Sequence, residues 1–355
     1  MKDLHITYIF DWKNNPDTSA AVKVKDQIEV WRRLGTNVEA LIISPNKFKE
    51  QWAISSARVY YYKGKLGRLK ARRNVNLRLK NNTSIIYRRY GIFTPSELIQ
   101  ICNSKTIIEL NTNNDFFYKN RSIFLYCWHR IQIKMIAKHI LGACAVTSEI
   151  KNLQASNLVE KTEVFTNSIN LERIKFRKEN RKLNSIKIVF LAGETNIWNG
   201  IEKVVLMARE LNFVDFFIIG IPKSKNFPHN IHWLSPLHGE TLQKKLSTMD
   251  IGISTLNLPS VGLVEGAPLK SRLYLATGLP IISGALDNAL SNLQKYIFKI
   301  EFNEEASEII NLDELTEFIK INALKIVPLS SIENISAKFV EKSRLEFIAN
   351  LVYSK

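Results

Sequence analysis

The sequence Ile186-Lys-Ile-Val-Phe-Leu-Ala-Gly193 predicts a strand that ends at a glycine, and the fold class follows from this segment and the residues after it. Residues 201–211 then predict a helix, and Phe216-Phe-Ile-Ile-Gly220 predicts a second strand that also ends at a glycine. A strand, a helix and a strand in succession naturally form part of a parallel sheet. This stretch therefore predicts the α/β fold class.

The same alternation continues on both sides of this stretch. On the C-terminal side we expect strands and helices at residues 231–234, 242–248, 251–254, 269–277 and 280–283. On the N-terminal side we expect a strand at residues 4–10, a helix at 21–34 that Gly35 ends, and further strands at 38–43, 59–62, 84–87, 106–110, 143–147 and 163–165.

The two runs of strands and helices are separated by a polar, basic stretch at residues 176–185, whose composition is typical of a linker. A chain of 355 residues is long for one domain and sufficient for two. We therefore predict two doubly wound, Rossmann-like domains, at residues 1–175 and 186–332, which face each other across a cleft. Ligands of such sheets bind at the carboxyl ends of the strands.

Composition limits the possible classes of protein. Apolar residues make up 45% of the chain, which supports large cores and argues against a disordered protein. The three cysteines, Cys102, Cys127 and Cys144, match no close metal-site spacing, and their small, odd number favours a reduced, cytoplasmic chain. The longest uncharged stretches, residues 251–264 and 273–286, are too short to span a bilayer.

The net charge of +17 is concentrated in the first half of the chain. Residues 51–96 contain eleven Lys and Arg residues and no acidic residue, and residues 116–148 contain five and again no acidic residue. Such a field attracts anionic lipid, pyrophosphate or nucleic acid, although a solvated basic face is the simpler alternative. We expect a membrane or polyanion patch in the first segment, where cations alternate with apolar residues, at Arg68, Lys70, Arg72, Arg73 and Arg78.

Residues 116–130 mix aromatic and basic side chains. This mixture suits a helix at a membrane interface, and it equally suits an amphipathic helix packed on its own sheet. It would also allow stacking on single-stranded nucleic acid, but no recognised nucleic-acid motif accompanies it, so we expect no nucleic-acid partner. We expect His129 to be a polar surface residue rather than a catalytic group.

The second half of the chain contains several motifs in a fixed order. They read Phe190-Leu-Ala-Gly193, Trp198-Asn-Gly-Ile-Glu-Lys203, Asp250-Ile-Gly-Ile-Ser254 and Gly262-Leu-Val-Glu-Gly-Ala-Pro-Leu-Lys-Ser-Arg-Leu-Tyr-Leu-Ala-Thr-Gly-Leu-Pro280. In order and spacing they resemble the retaining, family-4-like glycosyltransferases of the GT-B fold, of the type that builds bacterial surface polysaccharides. The resemblance covers residues 186–300 and is looser in the first half of the chain.

The resemblance implies a nucleotide-sugar donor, expected to be a UDP-sugar, and roles for particular residues. Glu265 would bind the donor sugar, the backbone N–H groups of Gly266 and Ala267 would hold the diphosphate, and Lys270 would neutralise phosphate charge. Glu265 and Lys270 are thus the expected catalytic residues, although two opposite charges so close in sequence could equally form a structural ion pair. The expected donor-binding residues are Gly193, Glu194, Asn199, Gly266, Ala267, Pro268, Leu269, Arg272 and Leu273.

The sequence departs from the family pattern at two places in the donor site. The family has a second Glu eight residues after the first, which holds the ribose hydroxyls, and here that position is Leu273. The family also has an Arg and a Lys after the phosphate-loop glycine, but residues 194–200 contain neither. Lys270, Arg272 or a residue of the first domain would have to supply that charge. Gly193 has a simpler alternative, which is an ordinary turn between a strand and a helix.

In the resembled fold, the first domain holds the acceptor. We expect Glu109, Asn111 and Asn113 on the acceptor side, because they lie near the carboxyl end of the strand at residues 106–110.

A C-terminal helix crosses back to the first domain in the resembled fold. We expect this helix within residues 335–355, with Phe339, Phe347 and Leu351 as its packing face.

The predicted function is transfer of a sugar from a nucleotide sugar to a lipid-linked or surface glycan acceptor, with retention of configuration. The enzyme is expected to be peripheral on the inner face of the plasma membrane. We expect no cofactor and no metal ion, because the sequence has no Asp-x-Asp, His-Glu-x-x-His or paired-cysteine motif. Two alternatives remain. One is a non-catalytic or regulatory homologue that binds nucleotide sugar or glycan, and the other is a nucleotide-sugar epimerase or hydrolase on the same fold.

Overall fold

The computed structural model describes residues 4–11, 19–45, 57–158, 160–179, 185–193, 196–222 and 227–353, apart from the side chains of residues 19 and 154–158. The predicted donor-binding residue Glu194 and residues 180–184 of the predicted linker lie outside the described residues.

The chain divides into two compact units. The first consists of Met1–Thr166 together with Ala337–Lys355, and the second of Asn167–Ser336. The division therefore lies ahead of the stretch in which the sequence predicted a linker, and the described part of that stretch belongs to the second unit.

The strands, in chain order, are β1 (His5–Asp11), β2 (Asn37–Ser44), β3 (Ala57–Tyr61), β4 (Ile85–Arg89), β5 (Thr106–Leu110), β6 (Gly142–Ala145), β7 (Thr162–Val164), β8 (Ile186–Leu191), β9 (Val214–Ile219), β10 (Ile231–Leu234), β11 (Ile251–Ile253), β12 (Ile281–Ser283) and β13 (Ile297–Lys299). The helices are α1 (Ser19–Arg33), α2 (Gly64–Arg78), α3 (Pro95–Cys102), α4 (Asn114–Lys119), α5 (Ile123–Ile136), α6 (Ser148–Leu158), α7 (Ile201–Glu210), α8 (Gly239–Ser247), α9 (Leu269–Thr277), α10 (Leu312–Asn322) and α11 (Ala337–Tyr353).

Each unit is built on a parallel sheet. The described strands of the first unit have the order β3-β2-β1-β4-β5-β6-β7, and those of the second have the order β10-β9-β8-β11-β12-β13. In each sheet the chain first moves outward in one direction and then returns to build the other side, so the order switches between β1 and β4 and between β8 and β11. Both sheets are therefore doubly wound, as predicted.

The first sheet buries both of its faces. Ile6, Tyr8 and Phe10 of β1 face a core that α1 and α11 cover, whereas Ile9 faces the opposite core with Val75 of α2. This alternation follows from the period of two in a strand, and burial on both faces explains why β1 reads as a nearly continuous apolar run.

The C-terminal helix α11 belongs to the first unit, as predicted, but its predicted packing face is only partly right. Phe339 is 56% exposed, whereas Phe347 and Leu351 are partly buried against the core. The helix presents two charged residues to the interior instead. Glu341 accepts a hydrogen bond from the Trp31 indole at 2.8 Å, and Arg344 donates to the Tyr87 hydroxyl at 3.2 Å. These buried charges interrupt the apolar stripe that the sequence predicts for this helix.

In the second unit, packing against the sheet fixes the helix α9. A Cβ atom at Gly252 of β11 would lie 2.5 Å from the Tyr274 ring of α9, so only glycine allows this close approach. The Tyr274 hydroxyl also accepts a hydrogen bond from the backbone N–H of Leu191, at the end of β8, at 2.8 Å. These contacts hold α9 against β11 and against the carboxyl end of β8.

Over the described residues, none of the helices combines the length and the apolar character that a bilayer crossing requires.

Candidate functional site

The switch between β8 and β11 is where a ligand site is expected in the second sheet. The chain leaves β8 through Ala192 and Gly193, and α9 begins beside this edge at Leu269. Several of the residues predicted to bind a donor lie here, because strand order and the contact of Tyr274 with Leu191 bring them together.

Neither the backbone conformation nor the packing of the described residues requires a glycine at position 193. A Cβ atom built on it would meet no atom of the described residues within 4 Å, and its φ is not positive. Gly220, at the end of the neighbouring β9, differs on both counts, since its φ is +104° and its Cβ would lie 2.5 Å from the Ala192 carbonyl oxygen. The open space beside Gly193 allows a group from outside the chain to approach the backbone closely.

Lys270 points its amine at this edge. The Nζ atom donates to the Leu191 carbonyl oxygen at 3.1 Å and to Asn199 Oδ1 at 3.0 Å, and it lies 4.2 Å from the centre of the Phe190 ring. Although part of the side chain reaches solvent, the amine is enclosed, and this burial lowers the pKa of Lys270 from 10.5 to about 7.

Within the described part of the chain Lys270 has no acidic partner, so the alternative of a structural ion pair with Glu265 is wrong. Among the described residues, no carboxylate therefore compensates the charge that this amine carries when it is protonated.

The first turn of α9 adds backbone donors to this edge. Pro268 precedes the helix and provides no side-chain cap, and Ser271 N–H donates to the Pro268 carbonyl oxygen. Among the described residues the N–H groups of Leu269 and Lys270 have no acceptor. Unpaired N–H groups at the start of a helix favour an anion.

Glu265 is buried and held by a neighbour that the sequence analysis did not identify. Asn288 Nδ2 donates to Glu265 Oε1 at 2.9 Å. A short parallel bridge joins Glu265 to Leu286, in which Gly266 N–H donates to the Leu286 carbonyl oxygen at 2.8 Å. The expectation that Gly266 N–H holds a diphosphate is therefore wrong for this arrangement, because that donor is already used within the chain.

Arg272 does not supply the cation that the loop at residues 194–200 lacks. Its side chain is fully buried, its guanidinium is paired with Asp287 through two hydrogen bonds, and its Nε donates to the Asn167 carbonyl oxygen at 2.9 Å. The prediction that Arg272 binds a donor is corrected to a role inside the unit. Leu273 follows on α9 and packs, half-buried, against the apolar core beneath that helix.

The predicted acceptor-side residues of the first unit are mostly occupied by contacts within the unit. Glu109 is buried and pairs with Lys23 at 2.7 Å and with Arg344 at 3.4 Å. Burial alone would raise the pKa of Glu109, but Lys23, Arg344 and Arg89 bring it down to about 2. Asn113 accepts the Phe116 N–H as the N-cap of α4.

Asn111 is the one of the three that keeps capacity for a ligand. It accepts a hydrogen bond from Lys23 at 3.3 Å, and its Nδ2 atom is buried with no acceptor among the described residues.

The predicted basic patch on α2 is divided in the structure. Arg68 and Arg72 are paired with Asp11 and Glu97, and Arg78 lies 3.5 Å from Glu39. Lys70 and Arg73 are exposed and have no acidic partner among the described residues. Only these two of the five predicted cations are therefore fully available to an external anion.

The expectation for His129 is wrong. It is buried on α5, where its Nδ1 atom lies 2.7 Å from the Tyr90 hydroxyl and its Nε2 atom lies 3.4 Å from Asp115. Burial lowers the pKa of His129 below its usual value, although the nearby Asp115 opposes this shift.

Over the described residues, no group of three or more His, Cys, Asp or Glu side chains is arranged to hold a metal ion.

Comparison with known proteins shows similarity in structure only. No protein-family model matches the sequence, and no curated protein sequence matches it. A glycosyltransferase from Rickettsia africae is 16% identical with a TM-score of 0.66, and 99% of each chain is covered. HepE from Anabaena, solved with UDP and glucose, is 13% identical with a TM-score of 0.68, covering 98% of this chain and 100% of HepE.

The lipopolysaccharide outer core galactosyltransferase WaaB, in its apo form, is 12% identical with a TM-score of 0.63, and 99% of each chain is covered. Such low identities show the fold alone. The predicted GT-B fold is confirmed, because all three similar structures are of this kind and the match extends over both units.

Proposed function

We propose that the protein is a glycosyltransferase that transfers a sugar from a nucleotide-sugar donor, a UDP-sugar, to a lipid-linked or surface glycan acceptor with retention of configuration. One observation carries the proposal. At the switch point of the second sheet, the amine of Lys270 has no acidic partner, and the first N–H groups of α9 have no acceptor, among the described residues. Gly193 follows the end of β8 at the same edge of the sheet. A diphosphate is the ligand whose charge and size suit these groups.

Different residues at this edge would bind the diphosphate and the sugar of the donor. Lys270 and the first turn of α9 would stabilise the negative charge that develops on the departing diphosphate. Glu265 would accept hydrogen bonds from the sugar hydroxyls, and Asn288 would hold its carboxylate in place. Asn199, which accepts a hydrogen bond from Lys270, would orient the amine.

In the proposed reaction the bond between the anomeric carbon and the diphosphate oxygen breaks. The acceptor oxygen bonds to the anomeric carbon from the same face, and its proton passes to the departing phosphate oxygen. This route needs no strong general base from the protein, so positioning and charge stabilisation are the main tasks of the site. The reaction is proposed to proceed without a metal ion, since Lys270 and the helix N–H groups would take that electrostatic role.

The similar structures support the choice of donor and acceptor. HepE was solved with UDP and glucose and also with UDP-glucose, and a pneumococcal O-GlcNAc transferase was solved with UDP and GlcNAc. WaaB, a lipopolysaccharide outer core galactosyltransferase, supports a lipid-linked glycan as the acceptor class.

The proposal can be tested with a panel of UDP-hexoses and UDP-N-acetylhexosamines, each with and without an extract of bacterial lipid-linked glycans. We expect UDP release from one donor only when the extract is present, with a matching mass increase in the lipid fraction. Glu265→Ala should reduce this release by about 10²-fold, whereas Glu314→Ala, at an exposed position on α10, should not change it.

Other outcomes would replace the proposal. UDP release without an acceptor would indicate a hydrolase, and conversion between UDP-sugars without UDP release would indicate an epimerase. Donor binding with no turnover would indicate a non-catalytic homologue, for which the absence of a ribose-binding carboxylate at Leu273 would be the structural reason.

A further inference from the structure

The first unit has a helical layer whose outer surface is both basic and apolar. Helices α2, α3 and α5 lie on the same face of the first sheet, because each connects strands in the same direction along it. Asn76 of α2 donates to Ser96 of α3 at 3.2 Å, and Cys102 of α3 lies 3.9 Å from the Met135 carbonyl oxygen of α5. The outward surface of these three helices is called the basic apolar face below.

The apolar side chains of this face are unusually exposed. Phe124 of α5 is 84% exposed and Leu66 of α2 is 83% exposed, the highest values among the described large apolar side chains. Ile99 of α3 lies between these helices and is also exposed. Exposed large apolar side chains on three neighbouring helices point to a surface that is covered by a partner.

The same side chains form stripes along the helices. On α2, Leu66, Lys70, Arg73 and Leu77 follow one another at intervals of three and four residues, and all four are exposed. On α5 the stripe of exposed residues contains Phe124, Ile131 and Lys134. Helices α2 and α5 therefore each present large apolar side chains together with a lysine or an arginine on one outward surface.

The face carries cations without compensating acids. Across α2, α3 and α5 the only acidic residue is Glu97, which is buried and paired with Arg72 and Arg88. Lys70, Arg73 and Lys134 have no acidic partner among the described residues. A surface that combines free cations with exposed apolar side chains is complementary to an anionic bilayer, where phosphates meet acyl chains.

We infer that the basic apolar face docks on an anionic lipid bilayer, with Leu66 and Phe124 entering the acyl boundary and Lys70 and Arg73 binding lipid phosphates. Leu66 and Phe124 lie in the first turns of α2 and α5, which begin near the carboxyl edge of the first sheet. We therefore expect that edge of the first unit to enter the bilayer furthest. This inference does not depend on the proposed enzymatic activity.

The opposite face of the same unit provides a matched control. Lys338 and Phe339 are exposed on α11, which packs on the other side of the first sheet. A Lys338→Glu/Phe339→Ser variant therefore replaces one cation and one large apolar side chain outside the basic apolar face.

The experiment is sedimentation of the full-length protein with vesicles of pure phosphatidylcholine or of phosphatidylcholine and phosphatidylglycerol in equal amounts. We expect binding to the anionic vesicles only, and its loss between 0.1 and 1 M NaCl, as the Debye length falls from about 10 Å to about 3 Å. Lys70→Glu/Arg73→Glu should weaken binding at least about tenfold. Leu66→Ser/Phe124→Ser should do the same, and the α11 control should bind within about twofold of the wild type.

Circular dichroism and the melting temperature establish that each variant is folded, and the two pairs of substitutions test the same face independently. The inference is overturned if the wild type does not sediment with anionic vesicles, or if the α11 variant loses binding as strongly as the other two. It is equally overturned if folded variants on α2 and α5 both bind like the wild type. Tight binding of single-stranded nucleic acid without vesicle binding would assign the face to another partner.

Discussion

Lys270 gives the donor site a pH dependence that can be worked out from its surroundings. In the free protein, burial against Phe190 and the end of β8 lowers the pKa of its amine to about 7. A diphosphate beside the amine would favour the charged form and return the pKa toward its usual value of 10.5. UDP binding should therefore take up a proton at pH values between these two limits, about 0.9 proton at pH 8.

The same linkage fixes the size of the effect on affinity. At pH 7 about half of the free protein has a charged Lys270, and at pH 9 about one molecule in a hundred does. The dissociation constant for UDP should therefore rise about 50-fold between pH 7 and pH 9, which corresponds to about 2.3 kcal/mol. Titration calorimetry in buffers of different ionisation enthalpy measures both the affinity and the proton uptake.

Lys270→Met is the variant that isolates this effect. It should bind UDP more weakly at pH 7 and lose most of the pH dependence, whereas Lys325→Met, at an exposed position, should behave as the wild type. Titration of UDP itself would appear equally in every variant. If wild type and Lys270→Met show the same pH dependence and proton uptake, Lys270 does not meet the diphosphate and the reasoning fails.

Three further predictions concern single side chains. Leu273→Glu should tighten UDP binding about tenfold in calorimetry if the ribose lies where the family places it. Unchanged or weaker binding would place the ribose elsewhere. Glu109→Gln should lower the free energy of unfolding in urea by about 3–5 kcal/mol, because it leaves buried cations uncompensated. Since the pKa of Glu109 is about 2 in the folded protein, its contribution to stability is present above pH 4.5 and is lost as the pH falls toward 2. An unchanged free energy of unfolding in this variant would contradict the prediction. Gly220→Ala should cost at least about 1–2 kcal/mol in the same assay because of its positive φ and the nearby Ala192 oxygen, and a wild-type midpoint would show that the turn can relax.

Local sequence signals were sufficient for much of the fold. The strands β5, β8 and β10 and the helix α9 have the predicted bounds, because each is a short apolar run or periodic segment ended by glycine, proline or polar residues. The helices α2, α3, α6 and α10 and the strand β13 were not predicted. In α2 only Ala71 and Val75 are buried, and its exposed leucines hide the periodicity that marks an amphipathic helix.

The roles of charged residues were harder to predict, because their partners are distant in sequence. Glu109 was expected at the acceptor side for its place at the end of β5, but it pairs with Lys23 and Arg344, which lie 86 and 235 residues away. Arg272 was similarly expected to bind a donor, and its pairing with Asp287 follows only from the path of the chain after α9. Asn288, which holds Glu265, carried no motif that would have identified it.

A crystal structure of the protein with bound UDP would show whether the switch point between β8 and β11 holds the diphosphate of a nucleotide sugar. We expect the diphosphate to lie within hydrogen-bonding distance of Lys270 Nζ and of the first N–H groups of α9, and close to the backbone of Gly193. UDP bound elsewhere, or bound here with Lys270 still directed only at Leu191 and Asn199, would contradict it.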